Sequence, residues 1–171
     1  MTQSLATAIP AYAELRCSTN FSFLRGASWP EELVERAKQL GYAALAVTDE
    51  CSMAGVVRAH VAAKEHRLKL LIGSQFAVQS DSPFTLVVLA CNRNGYGNLC
   101  EFITKLRRSA QKGTYELTVD AIDARELEDC VVLASPDREA TPQACDRGRL
   151  PHPPIIVPTA GGIPPRNEEQ S

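Results

Sequence analysis

No two cysteines in this chain are spaced Cys-x-x-Cys, although there are six of them, at positions 17, 51, 91, 100, 130 and 145. Several lie in apolar runs, so they read as reduced, buried thiols and not as a disulfide framework. Residues 1–9 lack both a basic stretch and a long apolar one, so no secretory signal is expected. No run approaches the roughly 18 apolar residues that a membrane helix needs. The chain is therefore expected in the cytoplasm, with no membrane partner. Excess positive charge is missing too: the net charge is -2, so a nucleic-acid partner cannot be argued from total charge. Histidines are few. His60 and His66 lie six apart, out of phase for one helical face, and His152 falls far from both, so all three read as surface or structural residues.

What is present is enough for one domain with a real core: 171 residues, 44% of them hydrophobic. The chain is organised around residues 42–55. Residues 43–47 are wholly apolar, as in a strand buried on both faces. Thr48-Asp49-Glu50 then puts two carboxylates at the strand's carboxyl end, where parallel α/β folds place ligands. The plainer alternative is that Asp49 caps a helix beginning near Met53. Upstream, residues 12–17 read as a first strand, followed by a loop anchored by buried Phe21 and Phe23. Ser28-Trp29-Pro30-Glu31 has the form of a capping box. Leu33, Val34, Ala37 and Leu40 then make one apolar stripe, and Gly41 ends the helix.

The strand–helix alternation repeats. Residues 53–65 read as a helix with Met53, Val56, Val57 and Val61 inward, and residues 68–72 as a third strand, which 76–78 extend. Residues 84–91 make a fourth strand. Residues 92–98 read as a turn, and Tyr96, Leu99, Cys100, Ile103 and Leu106 give the stripe of the next helix. Thr118 is placed to cap a short helix before a fifth strand at 130–134. Such units cross over right-handed and imply a parallel sheet or barrel. Lys105, Arg107, Arg108 and Lys112 gather near the end of the third helix. They complement its dipole, or alternatively form a DNA-facing basic cluster. Eight of the 11 prolines lie in residues 136–171, which argues against regular structure there. The expected organisation is an arm at 1–10, a partial domain at 11–135, and a disordered tail at 136–171 from a truncated or frame-shifted reading frame.

Three stretches carry a family resemblance. Leu15-Arg16-Cys17-Ser18-Thr19-Asn20-Phe21-Ser22-Phe23-Leu24-Arg25-Gly26-Ala27-Ser28 resembles the opening motif of the PHP (polymerase and histidinol phosphatase) domain. Ala44-Leu45-Ala46-Val47-Thr48-Asp49-Glu50-Cys51 resembles its second motif, and Leu71-Ile72-Gly73-Ser74-Gln75-Phe76 its third. The wording of these motifs, and of Asn92-Arg93-Asn94-Gly95-Tyr96, is most similar to bacterial error-prone C-family DNA polymerases.

The resemblance implies an α/β fold, an incomplete distorted β/α barrel of PHP type. In full-length relatives the barrel stands before the palm, thumb and fingers of a nucleotidyltransferase. Those relatives use Mg2+ in translesion DNA synthesis, with DNA and the other polymerase domains as partners. Metal-binding PHP domains are expected to supply a His-x-His pair, an Asp-His pair and a Glu. The corresponding positions here are Arg16 and Ser18, Asp49 and Glu50, and Gln75. Only Asp49 matches; Arg16 is a permanent cation and Ser18 and Gln75 are neutral. The expectation is a vestigial site with no metal and no cofactor, in which Arg16 bonds Asp49 in place of a metal. Cys17 and Cys51 beside it read as spectator thiols, with a thiolate pair as the alternative. The function expected is that of a non-catalytic fragment lacking the palm. A residual metal-dependent phosphoesterase and a DNA-binding accessory module are the alternatives. Oligomeric state is left unassigned.

Overall fold

The computed structural model describes residues 11–136 and the strand at 155–158. The arm at 1–10, most of the tail, Cys145 and His152 lie outside the described residues. The elements run β1 (Ala13–Glu14), α1 (Pro30–Gln39), β2 (Ala44–Glu50), α2 (Val56–His66), β3 (Lys69–Val78), β4 (Phe84–Ala90), α3 (Arg93–Ser109), β5 (Cys130–Pro136) and β6 (Ile155–Pro158). Two 3-10 turns, Val119–Ala121 and Ala124–Leu127, join α3 to β5. The strands form one sheet in sequence order; β1, β2 and β3 are parallel, and every later pairing is antiparallel. The expected strand–helix crossovers thus build the first three strands, and the polar turn at 79–83 makes β3 and β4 a hairpin. This is an incomplete barrel.

Alternation of side chains along the strands divides the core. Leu45 and Val47 of β2 pack with Val34 and Ala37 of α1 and Ala59, Ala62 and Ala63 of α2. Phe76, Leu86 and Val88 pack with Leu99, Phe102 and Leu106 of α3. On the opposite face, Ala46, Val87, Leu89 and Leu133 meet Leu15 and Leu71. Side chains of β2, β3, β4 and β5 share that cluster.

Several local expectations are corrected. The first strand is only Ala13–Glu14; beyond it the chain is held to β2 by Thr48 N–H donating to the Cys17 carbonyl at 2.8 Å. The capping box shifts by one residue: α1 starts at Pro30, and Glu32 accepts from Trp29 N–H at 2.9 Å. Glu31 accepts instead from Arg58 of α2, at 2.6 Å. Helix α2 starts at Val56, not Met53, and buries Val56, Ala59, Ala62 and Ala63, leaving Val57 and Val61 exposed. The helix is apolar on more than one face, so periodicity alone does not orient it; close packing on α1 selects the small alanines. Residues 92–98 are not a turn, since α3 begins at Arg93 with the Asn92 side chain accepting from Gly95 N–H at 3.0 Å. Thr118 stands at the start of a 3-10 turn without a side-chain cap. Ile155–Pro158 pairs antiparallel with β5. Three consecutive β-branched residues favour a strand there.

Candidate functional site

The carboxyl ends of β1, β2 and β3 bring together the first, second and third motifs. Asp49 is 1% exposed. Its carboxylate accepts from Thr19 N–H at 2.8 Å, from the Thr19 hydroxyl at 2.9 Å and from the Ser22 hydroxyl at 2.7 Å. Gly55 passes so close that an added Cβ would lie 2.8 Å from Asp49 Oδ2. The carboxylate is therefore spent on folding the 19–26 loop against β2. It does not cap α2, whose first turn has no side-chain cap.

Glu50 is the next residue in the strand and faces the other way. It accepts from Arg25 Nε at 2.9 Å and from the Tyr115 hydroxyl at 2.8 Å. The same Tyr115 oxygen accepts from Ala77 N–H at 2.8 Å. Burial, with the Glu50 carboxylate beside it, raises the Tyr115 pKa above the ordinary phenol value.

Arg16 does not bond Asp49. Its Nε donates to Gln75 Oε1 at 2.7 Å and its Nη2 reaches Thr85 Oγ1 at 3.4 Å, while Gln75 Nε2 donates to Ser18 Oγ at 2.8 Å. Three of the motif positions thus form one chain of hydrogen bonds, Arg16 to Gln75 to Ser18, crossing from β1 to β3 and on to β4. Gln75 and Glu50 are register partners and share a face of the sheet. The expected Arg16–Asp49 pair fails because Asp49 points to the opposite face. A double-mutant cycle in urea should give Arg16 and Gln75 a coupling of about 0.5–1.5 kcal/mol. The cycle on Arg16 and Asp49 should give zero; the reverse ranking would refute this geometry.

Lys105, Arg107, Arg108 and Lys112 do not form one patch. Lys105 is in an ion pair with Glu126. Arg107 turns inward, donating to the carbonyls of Cys51 at 3.2 Å and of Glu50 and Gly113 at 3.4 Å, and lies 5.6 Å from the centre of the Tyr115 ring. Arg108 and Lys112 are exposed. A basic pattern read along a helix misses this split because residues two apart face different ways.

Burial favours the protonated form of the thiols beside the motifs. Burial pushes both Cys17 and Cys51 up to about 11. None of the five described cysteines is in a disulfide. At pH 8 a water-soluble disulfide reagent should modify exposed Cys91 first, with Cys17 and Cys51 lagging until the fold opens; peptide mapping reads the order. Prompt labelling of Cys51 would overturn the assignment. Because these pKa values are raised on folding, their contribution to stability is complete below the ordinary thiol pKa and is lost as pH rises through about 11.

Sequence reasoning missed Thr19, Ser22, Arg25, Thr85 and Tyr115. The available signal was the Thr19 and Ser22 spacing in the first motif, two short hydroxyl side chains in a loop leaving a strand. Among the described residues, no group of three or more His, Cys, Asp or Glu is arranged to hold a metal ion, and no helix is long and apolar enough to cross a membrane.

Comparison with known proteins adds three findings. The family model described as PHP domain matches residues 14–152. The error-prone DNA polymerase of Bordetella parapertussis is 54% identical over 143 residues, which is 77% of this chain and 14% of that protein. That of Dechloromonas aromatica is 56% identical over 132 residues, 75% of this chain and 13% of the relative. The chain thus spans about a seventh of the length of the curated relatives it matches. A solved structure from Bifidobacterium adolescentis, described as a candidate metal-dependent phosphoesterase, superposes with a TM-score of 0.50. It is 25% identical and covers 58% of this chain and 34% of its own.

Proposed function

Because this chain belongs to the PHP domain family, we propose that it is the non-catalytic PHP module of an error-prone DNA polymerase. The whole enzyme would synthesise DNA across damaged template in the cytoplasm, with DNA and the other polymerase domains as partners. Identity above 50% over most of the chain supports the polymerase assignment.

One observation carries the non-catalytic part: the hydrogen-bonded chain Arg16–Gln75–Ser18 at the family's metal positions. A guanidinium cannot give up a proton to become a ligand. It would also repel a divalent cation brought next to the Gln75 oxygen it already holds. Ser18 and Gln75 are neutral and weak oxygen donors, and the Asp49 carboxylate is committed to Thr19 and Ser22. The residues present therefore do not fit a clustered metal site. The likeness to the candidate phosphoesterase supports the fold; a phosphoesterase activity is the outcome that would count against this reading.

Two measurements test it. Zn2+ or Mn2+ should leave the melting temperature of the purified chain unchanged, and neither should support hydrolysis of bis(p-nitrophenyl) phosphate. Metal-dependent hydrolysis that copurifies with the chain and is lost on altering Glu50 or Asp49 would overturn the non-catalytic reading. For the polymerase reading, residues 14–134 can replace the matched segment in the full-length Bordetella parapertussis enzyme. The chimaera should extend a primed template. A folded chimaera unable to do so would count against membership of a polymerase.

A further inference from the structure

Helices α1 and α2 share a seam of small side chains, where Val34 and Ala37 meet Ala59, Ala62 and Ala63 over β2. On the solvent side of that seam lies an open cavity of about 340 Å³. Val57 and Val61 are its apolar part, one helical turn apart on α2 and 71% and 61% exposed. Valine is one of the weaker helix formers, so nothing local favours two of them on a solvated stripe. Carboxylates surround the pair. Glu31, Glu32 and Glu35 come from α1, Glu65 extends the valine stripe by one more turn, and His66 lies beside it. Arg58 is the one guanidinium among the lining residues, and Glu31 holds it at 2.6 Å. Among the described residues, Glu32, Glu35 and Glu65 are in no ion pair.

Charge selects the occupant. Three carboxylates without a cation around an apolar strip repel a phosphate backbone and an anionic lipid surface alike. Two copies of this chain meeting through the same face would set these glutamates against one another, which opposes that pairing too. Completing the sheet leaves the cleft open, because further strands can join only at the β1 or β6 edge. The seam stands instead over β2, between helices whose inner faces are already packed on it. What fits is a pair of apolar side chains one helical turn apart, bordered by cations. An amphipathic helix carrying Lys or Arg beside its leucines has that form. A cleft between two helices receives a third by interlocking rows of side chains.

We propose that the outer cleft between α1 and α2 is a docking site for a basic amphipathic helix of a second protein. The apolar face of that helix packs on Val57 and Val61, and its Lys or Arg heads meet Glu32, Glu35 and Glu65. The apolar contacts supply the affinity, while the charged rim steers the encounter and makes it sensitive to salt. The proposal rests on this cleft alone and does not depend on the polymerase reading.

The probe is a fluorescein-labelled peptide of about 18 residues, long enough to hold a helix in water, with leucines on one face and lysines flanking them. Its anisotropy, titrated with the purified full chain, should show saturable binding that weakens as salt is raised. The variants V57S/V61S and E32Q/E35Q/E65Q should each weaken binding by about tenfold or more. All five positions are exposed or line the cleft, so the melting temperature should hold and show that the fold is intact. A further variant serves as control. The sequence expects Phe21 and Phe23 as buried anchors, but Phe21 is 38% exposed and Phe23 84%. F23S thus removes apolar surface elsewhere and should leave binding unchanged. No saturable binding, equal binding of a peptide with glutamate in place of lysine, or an equal loss in F23S overturns the proposal. Two further outcomes do so by naming another occupant. Self-association of the chain that V57S/V61S abolishes makes the occupant a second copy. Binding by the chain but not by the full-length Bordetella parapertussis chimaera means that the polypeptide covers its own cleft.

Discussion

Replacing Asp49 with alanine should destabilise the chain by about 3–4 kcal/mol, the cost of leaving buried donors without an acceptor. Asp49 sits at 1% exposure and collects the Thr19 amide and the Thr19 and Ser22 hydroxyls. The hydroxyls can turn to other acceptors, but the Thr19 N–H is fixed by the backbone and has nowhere to go. Asp49→Asn should cost less, about 1–2 kcal/mol, because the amide oxygen still accepts from that N–H while its NH2 group meets hydroxyls that must reorient. Urea unfolding measures both. A second readout locates the damage: in Asp49→Ala, trypsin should cut after Arg25 in the otherwise folded chain, since the 19–26 loop has lost its attachment to β2. A cost below about 1 kcal/mol, or no new cleavage, would mean that the loop is held by something else.

The combined substitution R16H, S18H and Q75E should create a three-ligand metal site at these positions. The three side chains already touch in sequence, Arg16 to Gln75 at 2.7 Å and Gln75 to Ser18 at 2.8 Å. Two imidazoles and a carboxylate placed there match the three-ligand sets that hold zinc with a fourth position open. At a Zn2+ concentration 100-fold above the dissociation constant, binding adds about 2.7 kcal/mol of stability, a rise of several degrees in the melting temperature. The single change R16H should show no such rise, because one imidazole beside a neutral amide and a hydroxyl is too weak a donor set. If the triple variant folds but zinc leaves its melting temperature unmoved, the three positions do not converge and the account of a rebuilt metal site fails.

These two results together would separate two roles that adjacent residues in one motif can hide. Asp49 is the single position that matches the expected ligand pattern, yet its carboxylate faces away from the Arg16–Gln75–Ser18 chain and folds a loop. Matching a motif letter is thus no evidence of a ligand until the face of the strand is known. Arg107 makes the same point on a helix. It stands two residues from Lys105, yet one turns inward to the backbone carbonyls of β2's carboxyl end and the other outward to Glu126.

The sequence alone determined the class of fold, the existence and order of the five main strands and three helices, and the family. These follow from local properties: a run of apolar β-branched and small residues has few conformations to choose from, and motif spacing survives without knowledge of packing. Tertiary structure alone decided that Asp49 pairs with Thr19 and Ser22, that Arg16 reaches Gln75 and Thr85, and that Phe23 points outward. Arg16 and Thr85 are 69 positions apart and meet only because the β2–β3 and β3–β4 registers and the curl of the sheet bring them together. A one-residue slip in either register would turn Gln75 to the other face and dissolve the contact. That dependence on register and curvature, properties of the whole sheet, is why the partners of these side chains could not be read from the motifs that contain them.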